Sequence, residues 1–96
     1  MAMRVTFDPT EALAVATRLG LDFTAEPFSL AEFRRGMDVE LEHGRRDPAT
    51  NVTGDDALTT GKIALAHLRE IPDYYTRLSR MEAEAEAELA EAADPA

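Results

Sequence analysis

The chain has no cysteine and no tryptophan. The first absence removes disulfides, thiolate zinc sites, iron–sulfur clusters and cysteine nucleophiles together, and it suits a reducing compartment, so a cytoplasmic location is expected. Basic residues are scarce too. Against 19 Asp and Glu stand 10 Lys and Arg, a formal charge of -9 with a pI near 4.5, which disfavours nucleic acid and anionic membrane surfaces as partners. No apolar run approaches the roughly 18 residues of a membrane span, and the opening Met1-Ala2-Met3-Arg4-Val5-Thr6-Phe7-Asp8 lacks the apolar stretch of a signal peptide. Also missing are β-branched alternating runs, a glycine-rich phosphate loop and any repeat of about 20 to 50 residues. With 96 residues the chain holds one domain with a small core.

What remains reads as all-α. Asp8-Pro9-Thr10-Glu11 joins a cap residue, a proline at the first helical position and a glutamate three residues after the cap, so a helix is expected over about 9–19, stopped at Gly20. Ser29-Leu30-Ala31-Glu32 repeats the capping-box pattern, and Gly44 marks the expected stop of a second helix over about 30–43. Leu30, Phe33, Met37 and Leu41 fall in one apolar stripe of that helix, and Val39 points away from it. A polar stretch of 13 residues, 44–56, follows, longer than the 2 to 8 residues usual between packed helices. A third helix over about 56–71, capped by Asp55 or Asp56, places Leu58, Gly61, Ala64, Leu65, Leu68 and Ile71 on one side. Pro72 breaks it. A fourth, over about 73–92, carries Tyr74, Leu78, Met81, Ala85, Leu89 and Ala92 at spacings of three and four, a coiled-coil-like seam.

The expected organisation is therefore a bundle of about four helices over 1–81, with a long polar loop between helices two and three and an extended acidic C-terminal helix, 82–96 being its Ala/Glu-rich tail. That tail holds Glu82, Glu84, Glu86, Glu88, Glu91 and Asp94 with no basic residue, whereas 1–80 has 13 acidic and 10 basic groups. Six of the nine excess charges thus sit in the last 16 residues.

The candidate chemistry centres on two histidines, each with a glutamate three residues away: Glu40 with His43, and His67 with Glu70. That spacing puts both groups on one helix face, and imidazole with carboxylate suits iron, manganese or zinc. Glu42 and Asp73 are possible additional ligands. In an antiparallel hairpin His43 and His67 would stand about 15 Å apart along the axis. The long loop, able to reach about 40 Å, can instead return along helix two and set the helices parallel or strongly crossed. A homodimer could also join the pairs. The plainer alternative is that Glu40, Glu42, His43 and Glu70 make surface ion pairs with Arg45, Arg46 and Arg69, His43 suiting a helix C-terminus in any case. Acid–base catalysis is less supported, because no nucleophile or oxyanion motif accompanies the pairs, and a non-enzyme is favoured.

Other polar groups have ordinary readings. Asp47, Asn51, Asp55 and Asp56 do not follow the EF-hand spacing and suit turns and caps, and Asn51-Val52-Thr53 is a sequon without a secretion signal. Arg34, Arg35, Arg45 and Arg46 balance nearby carboxylates. Tyr74 is expected on the seam, with the Tyr75 hydroxyl reaching a polar partner.

Two blocks carry a resemblance. Phe33-Arg34-Arg35-Gly36-Met37-Asp38-Val39-Glu40-Leu41-Glu42-His43-Gly44 and Thr60-Gly61-Lys62-Ile63-Ala64-Leu65-Ala66-His67-Leu68-Arg69-Glu70-Ile71-Pro72-Asp73-Tyr74-Tyr75 resemble a small family of uncharacterised bacterial and phage proteins, over roughly residues 12–84. The resemblance implies a compact helical unit, supplies no mechanism, and places both Glu/His pairs inside the family's hallmark blocks. The function expected from the sequence is that of an interaction or assembly module self-associating through the C-terminal helix, as a homodimer or with a protein partner. The alternative is a metal-binding helical protein using Glu40, His43, His67 and Glu70.

Overall fold

A computed structural model describes residues 6–93 and shows four α-helices in the order α1 (Pro9–Arg18), α2 (Leu30–Arg46), α3 (Ala57–Glu70) and α4 (Tyr74–Ala93), with a single 3-10 turn at Pro48–Thr50. No strand occurs among the described residues, and none of their helices is long and apolar enough to cross a membrane. The acidic tail is helical as far as Ala93, while Asp94 and the two residues after it lie outside the described residues.

The first cap forms as its residues dictate. The Glu11 amide donates to Asp8 Oδ1 at 2.8 Å and the Asp8 amide donates to Glu11 Oε1 at 3.2 Å. At the other end Gly20 takes φ 73, which lets the Leu21 amide reach Ala16 O and the Gly20 amide reach Thr17 O, closing the helix with a left-handed glycine.

The second cap departs from expectation. Ser29 accepts the Glu32 amide at 3.1 Å, but the Glu32 carboxylate does not turn back to its own helix. It accepts the amide of Thr76 at 3.3 Å, one of the first-turn donors of α4 that have no partner within their helix. A side chain read as half of a local capping box is thus the cap of another helix, 44 residues away in sequence. Glu32→Ala is expected to cost about 1 kcal/mol, and hydrogen exchange at the Thr76 amide should accelerate while exchange in α1 stays unchanged.

Gly44 does not stop α2, which continues to Arg46. The glycine is buried, and a β-carbon there would lie 2.9 Å from Asn51 Oδ1. Its role is to let the loop come close. Asn51 accepts the Gly54 amide and donates to Asp55 Oδ1, both at 3.0 Å, and Arg45 holds Asp55 Oδ2 at 3.2 Å. Asp47 caps the 3-10 turn and Asp56 caps α3, accepting the Thr59 amide at 2.8 Å. The polar loop is a chain of turn and cap contacts.

The core gathers Ala12, Val15 and Ala16 of α1, Phe33, Met37 and Leu41 of α2, Ala64 and Leu68 of α3, and Tyr75 of α4, with Phe7 and Phe28 from the connecting segments. Leu30 and Val39 are only partly buried, and Ile71, expected on the inner side of the third helix, is 40% exposed. Gly61 lets α3 approach α1, since a β-carbon there would stand 2.5 Å from Val15 Cγ1. Phe7 is clamped through its backbone. Its amide donates to Asp38 Oδ1 at 2.6 Å and Arg34 donates to its carbonyl at 3.3 Å. Burial pushes the Asp38 carboxyl above its ordinary pKa, against the opposing pull of the Phe7 amide and Arg34.

Two contacts fix the relation of α2 to α3. The Phe33 ring reaches Gly61, and Glu40 reaches His67. Later residues of one helix meet later residues of the other over this span, as in a parallel or crossed pair and unlike an antiparallel hairpin.

Candidate functional site

Two places gather the candidate groups, one at the margin of the core and one outside it. The first lies where α2, α3 and the foot of α4 meet. Tyr75, on the second residue of α4, is fully buried, and its hydroxyl donates to Glu40 Oε2 at 2.8 Å. The same oxygen lies 3.8 Å from His67 Nε2, beyond hydrogen-bond length but close enough for charge attraction if the ring is protonated. His67 stacks on Tyr74 with ring centroids 4.3 Å apart and planes 6° from parallel. The side chain of Glu40 is 14% exposed and that of His67 35%, so the pair sits at the margin of the core, as the helical angles of both residues imply.

The predicted pairs are therefore exchanged. Glu40 meets His67 and not His43, while His43 turns to Glu82 of α4, Nε2 to Oε2 3.8 Å. Glu70 is exposed. Of the possible additional ligands, Glu42 pairs with Arg46 at 3.2 Å and Asp73 with Arg77 at 2.8 Å. Only Glu40 and His67 of the four candidate ligands come together, and no group of three or more His, Asp or Glu side chains able to hold a metal ion occurs among the described residues.

As expected, the Tyr75 hydroxyl finds a polar partner and Tyr74 packs against the core, but Tyr75 is the fully buried ring of the two, and Tyr74 is half-buried over His67. The reason is the space above Gly36. A β-carbon on Gly36 would collide with the Tyr75 ring, standing 2.9 Å from both Cδ2 and Cζ, so the glycine opens the slot that the second tyrosine fills. Burial, then the negative charge of Glu40 and the hydrogen bond to it, pushes the Tyr75 phenol well above its ordinary pKa. In the unfolded chain it ionises near pH 10. A folded pKa above the unfolded one means that this contribution to stability is complete below about pH 10 and declines as the pH rises past that point. In an alkaline titration the Tyr75 phenolate absorbance should appear only as the helical circular dichroism is lost. Phenolate signal from Tyr75 ahead of unfolding would contradict the burial.

The second place is a groove of about 380 Å³ between the C-terminal half of α2 and the middle of α4. Val39, His43 and Arg46 line it from α2, and Met81, Ala85 and Leu89 from α4. The seam of the fourth helix is thus split. Tyr74 and Leu78 pack against the core, but Met81 and Leu89 remain 53% and 69% exposed. Glu42, Glu82 and Glu86 complete the groove walls. Among the described residues Glu84, Glu86, Glu88 and Glu91 have no ion-pair partner.

Sequence periodicity identifies the seam but not its division, and it carries no signal that Glu82, on another helix, is the partner of His43. No curated protein and no solved structure matches the chain. The family described as "Protein of unknown function (DUF5661)" matches residues 12–84, a span that takes in Glu40, His43, His67, Tyr75 and the first half of the groove-lining stretch of α4. On that match the chain belongs to the DUF5661 family.

Proposed function

We propose that the protein is an interaction module that docks a helix in the groove between α2 and α4. The observation that carries this reading is the open half of the seam. Met81, Ala85 and Leu89 follow one another at helical spacing along a stripe that begins in the core, yet they line an unfilled groove. Apolar side chains in a row and facing a concavity are the arrangement that receives the apolar face of another helix. Glu40, His67 and Tyr75 then serve to fix the foot of α4 on the body and so to hold the groove open.

The test is a photo-crosslinking side chain at Ala85, introduced in the cells that make the protein. Crosslinks to a second copy or to another chain, lost when Met81 and Leu89 are both changed to Asp, are the expected result. Absence of any crosslink at Ala85 would end the reading.

A second reading rests on the 3.8 Å approach of Glu40 to His67: a divalent cation, iron, manganese or zinc, held by these two with further ligands from another chain. Elemental analysis of untagged protein decides it. About one metal for every one or two chains, lost in Glu40→Gln, would carry this reading. Substoichiometric metal together with an unchanged melting temperature in added Zn2+, Mn2+ or Fe2+ would sink it.

A further inference from the structure

We infer that the helix received by the groove belongs to another protein and is basic and amphipathic, with one apolar stripe flanked on both sides by Lys or Arg. This inference rests on the docking reading above and adds the chemistry of the partner. Measured around the axis of α4 at about 100° per residue, Met81, Ala85 and Leu89 define the centre of the stripe. Glu82 and Glu86 lie on one flank and Glu84 and Glu88 on the other, each about 60–100° from that centre. These are the flanking positions through which paired helices select their partners by charge.

Of the four flank carboxylates only Glu82 meets a partner among the described residues, His43 at 3.8 Å. No basic residue follows Arg80. Across the groove Arg46 is already engaged by Glu42, and His43 faces Glu82 alone. A second copy would fit poorly. Because both flanks of α4 carry carboxylates, pairing the stripe of one α4 with that of another sets Glu against Glu in the parallel and in the antiparallel orientation alike. Each copy also brings a net charge of -9. A helix with Leu or Met on its stripe and Lys or Arg on both flanks satisfies the floor and the walls together.

The probe is a synthetic helical peptide of about 18 residues, roughly 27 Å long, with leucines at seam spacing and lysines on both flanks. Its comparison peptide has the same leucines and glutamates on the flanks. Titrated into the full chain, the lysine peptide is expected to bind at least about tenfold more tightly than the glutamate peptide, and to weaken several-fold between about 0.05 and 0.5 M salt. Met81→Asp with Leu89→Asp, both at exposed positions, should reduce its affinity at least about tenfold without lowering the melting temperature. Glu82→Gln, Glu84→Gln, Glu86→Gln and Glu88→Gln combined should remove most of the salt dependence.

Equal binding of the two peptides overturns the inference, as does binding of the lysine peptide that the paired aspartates leave intact. A chain that is dimeric at about 50 μM and becomes monomeric with those aspartates also overturns it, since a second copy then occupies the groove. In that case crosslinking at Ala85 still succeeds, so the docking reading survives the loss of this one.

Discussion

Tyr75→Ala is expected to lower the free energy of unfolding by about 3–5 kcal/mol, the range for removing a large buried aromatic side chain. In a domain of this size that corresponds to a fall in melting temperature of more than about 12 °C. The ring is fully buried, its slot is built over Gly36, and its hydroxyl satisfies Glu40. Truncation therefore leaves a cavity and removes the hydroxyl donor from a carboxylate that is largely buried. Tyr75→Phe separates the two effects, and with the ring kept the loss should shrink to about 1–2 kcal/mol. Thermal and urea denaturation of both variants reads the difference. A loss below about 1 kcal/mol for the alanine variant would show that α4 does not dock through Tyr75.

Gly36→Leu attacks the same contact from the other side. The new side chain has no space while the Tyr75 ring lies across the helix at this position, so either the ring leaves its slot or the helices separate. We expect a cost of about 3–4 kcal/mol, set by lost aromatic burial and by overpacking. Gly36→Ala should cost less, because the gain of about 1 kcal/mol from replacing a mid-helix glycine offsets part of the clash. The two large effects should not add. With Gly36→Leu and Tyr75→Ala combined in one chain, the leucine side chain can turn into the space the ring vacates. The double variant should then be more stable than the sum of the single losses by at least about 1 kcal/mol. Strict additivity would mean that the two residues do not share a site.

Much of this architecture is legible in the sequence. Asp8 with Glu11, Ser29, Gly20 and Pro72 act through backbone geometry and local hydrogen bonds, which sequence spacing reports directly. Phe33, Met37 and Leu41 are the centre of the core because apolar residues at helical spacing have few other fates. The misread positions are those whose partners are distant in sequence. Glu32 has the right spacing for its own cap but the better donor on α4. Gly44 has the composition of a stop signal and serves as a gap for Asn51. Asp38 carries no sign in the sequence of the Phe7 amide that it accepts. At the candidate site both histidines and both glutamates stood out, yet spacing within a helix could only couple neighbours. The exchange to Glu40 with His67, and His43 with Glu82, comes from the crossing of α2 with α3 and the descent of α4 alongside, and neither is written in local periodicity.

The fixed foot of α4 has a mechanical consequence. Its hydrogen bonds to the body lie at Tyr75 and Thr76, through Glu40 and Glu32, while Leu89 lies roughly 13 to 14 residues further on, about 20 Å along the rod. The helix is a lever with its fulcrum at the tyrosines, and a load applied near Leu89 is delivered to the Tyr74–His67 stack and the Tyr75–Glu40 bond. With two tyrosines and no tryptophan, the tyrosine emission of the protein originates at that fulcrum, where one ring stacks on an imidazole and the other bonds a carboxylate. Occupation of the far end should register as a change in tyrosine emission without any label, and the signal should vanish when Tyr74 and Tyr75 are both replaced by Phe.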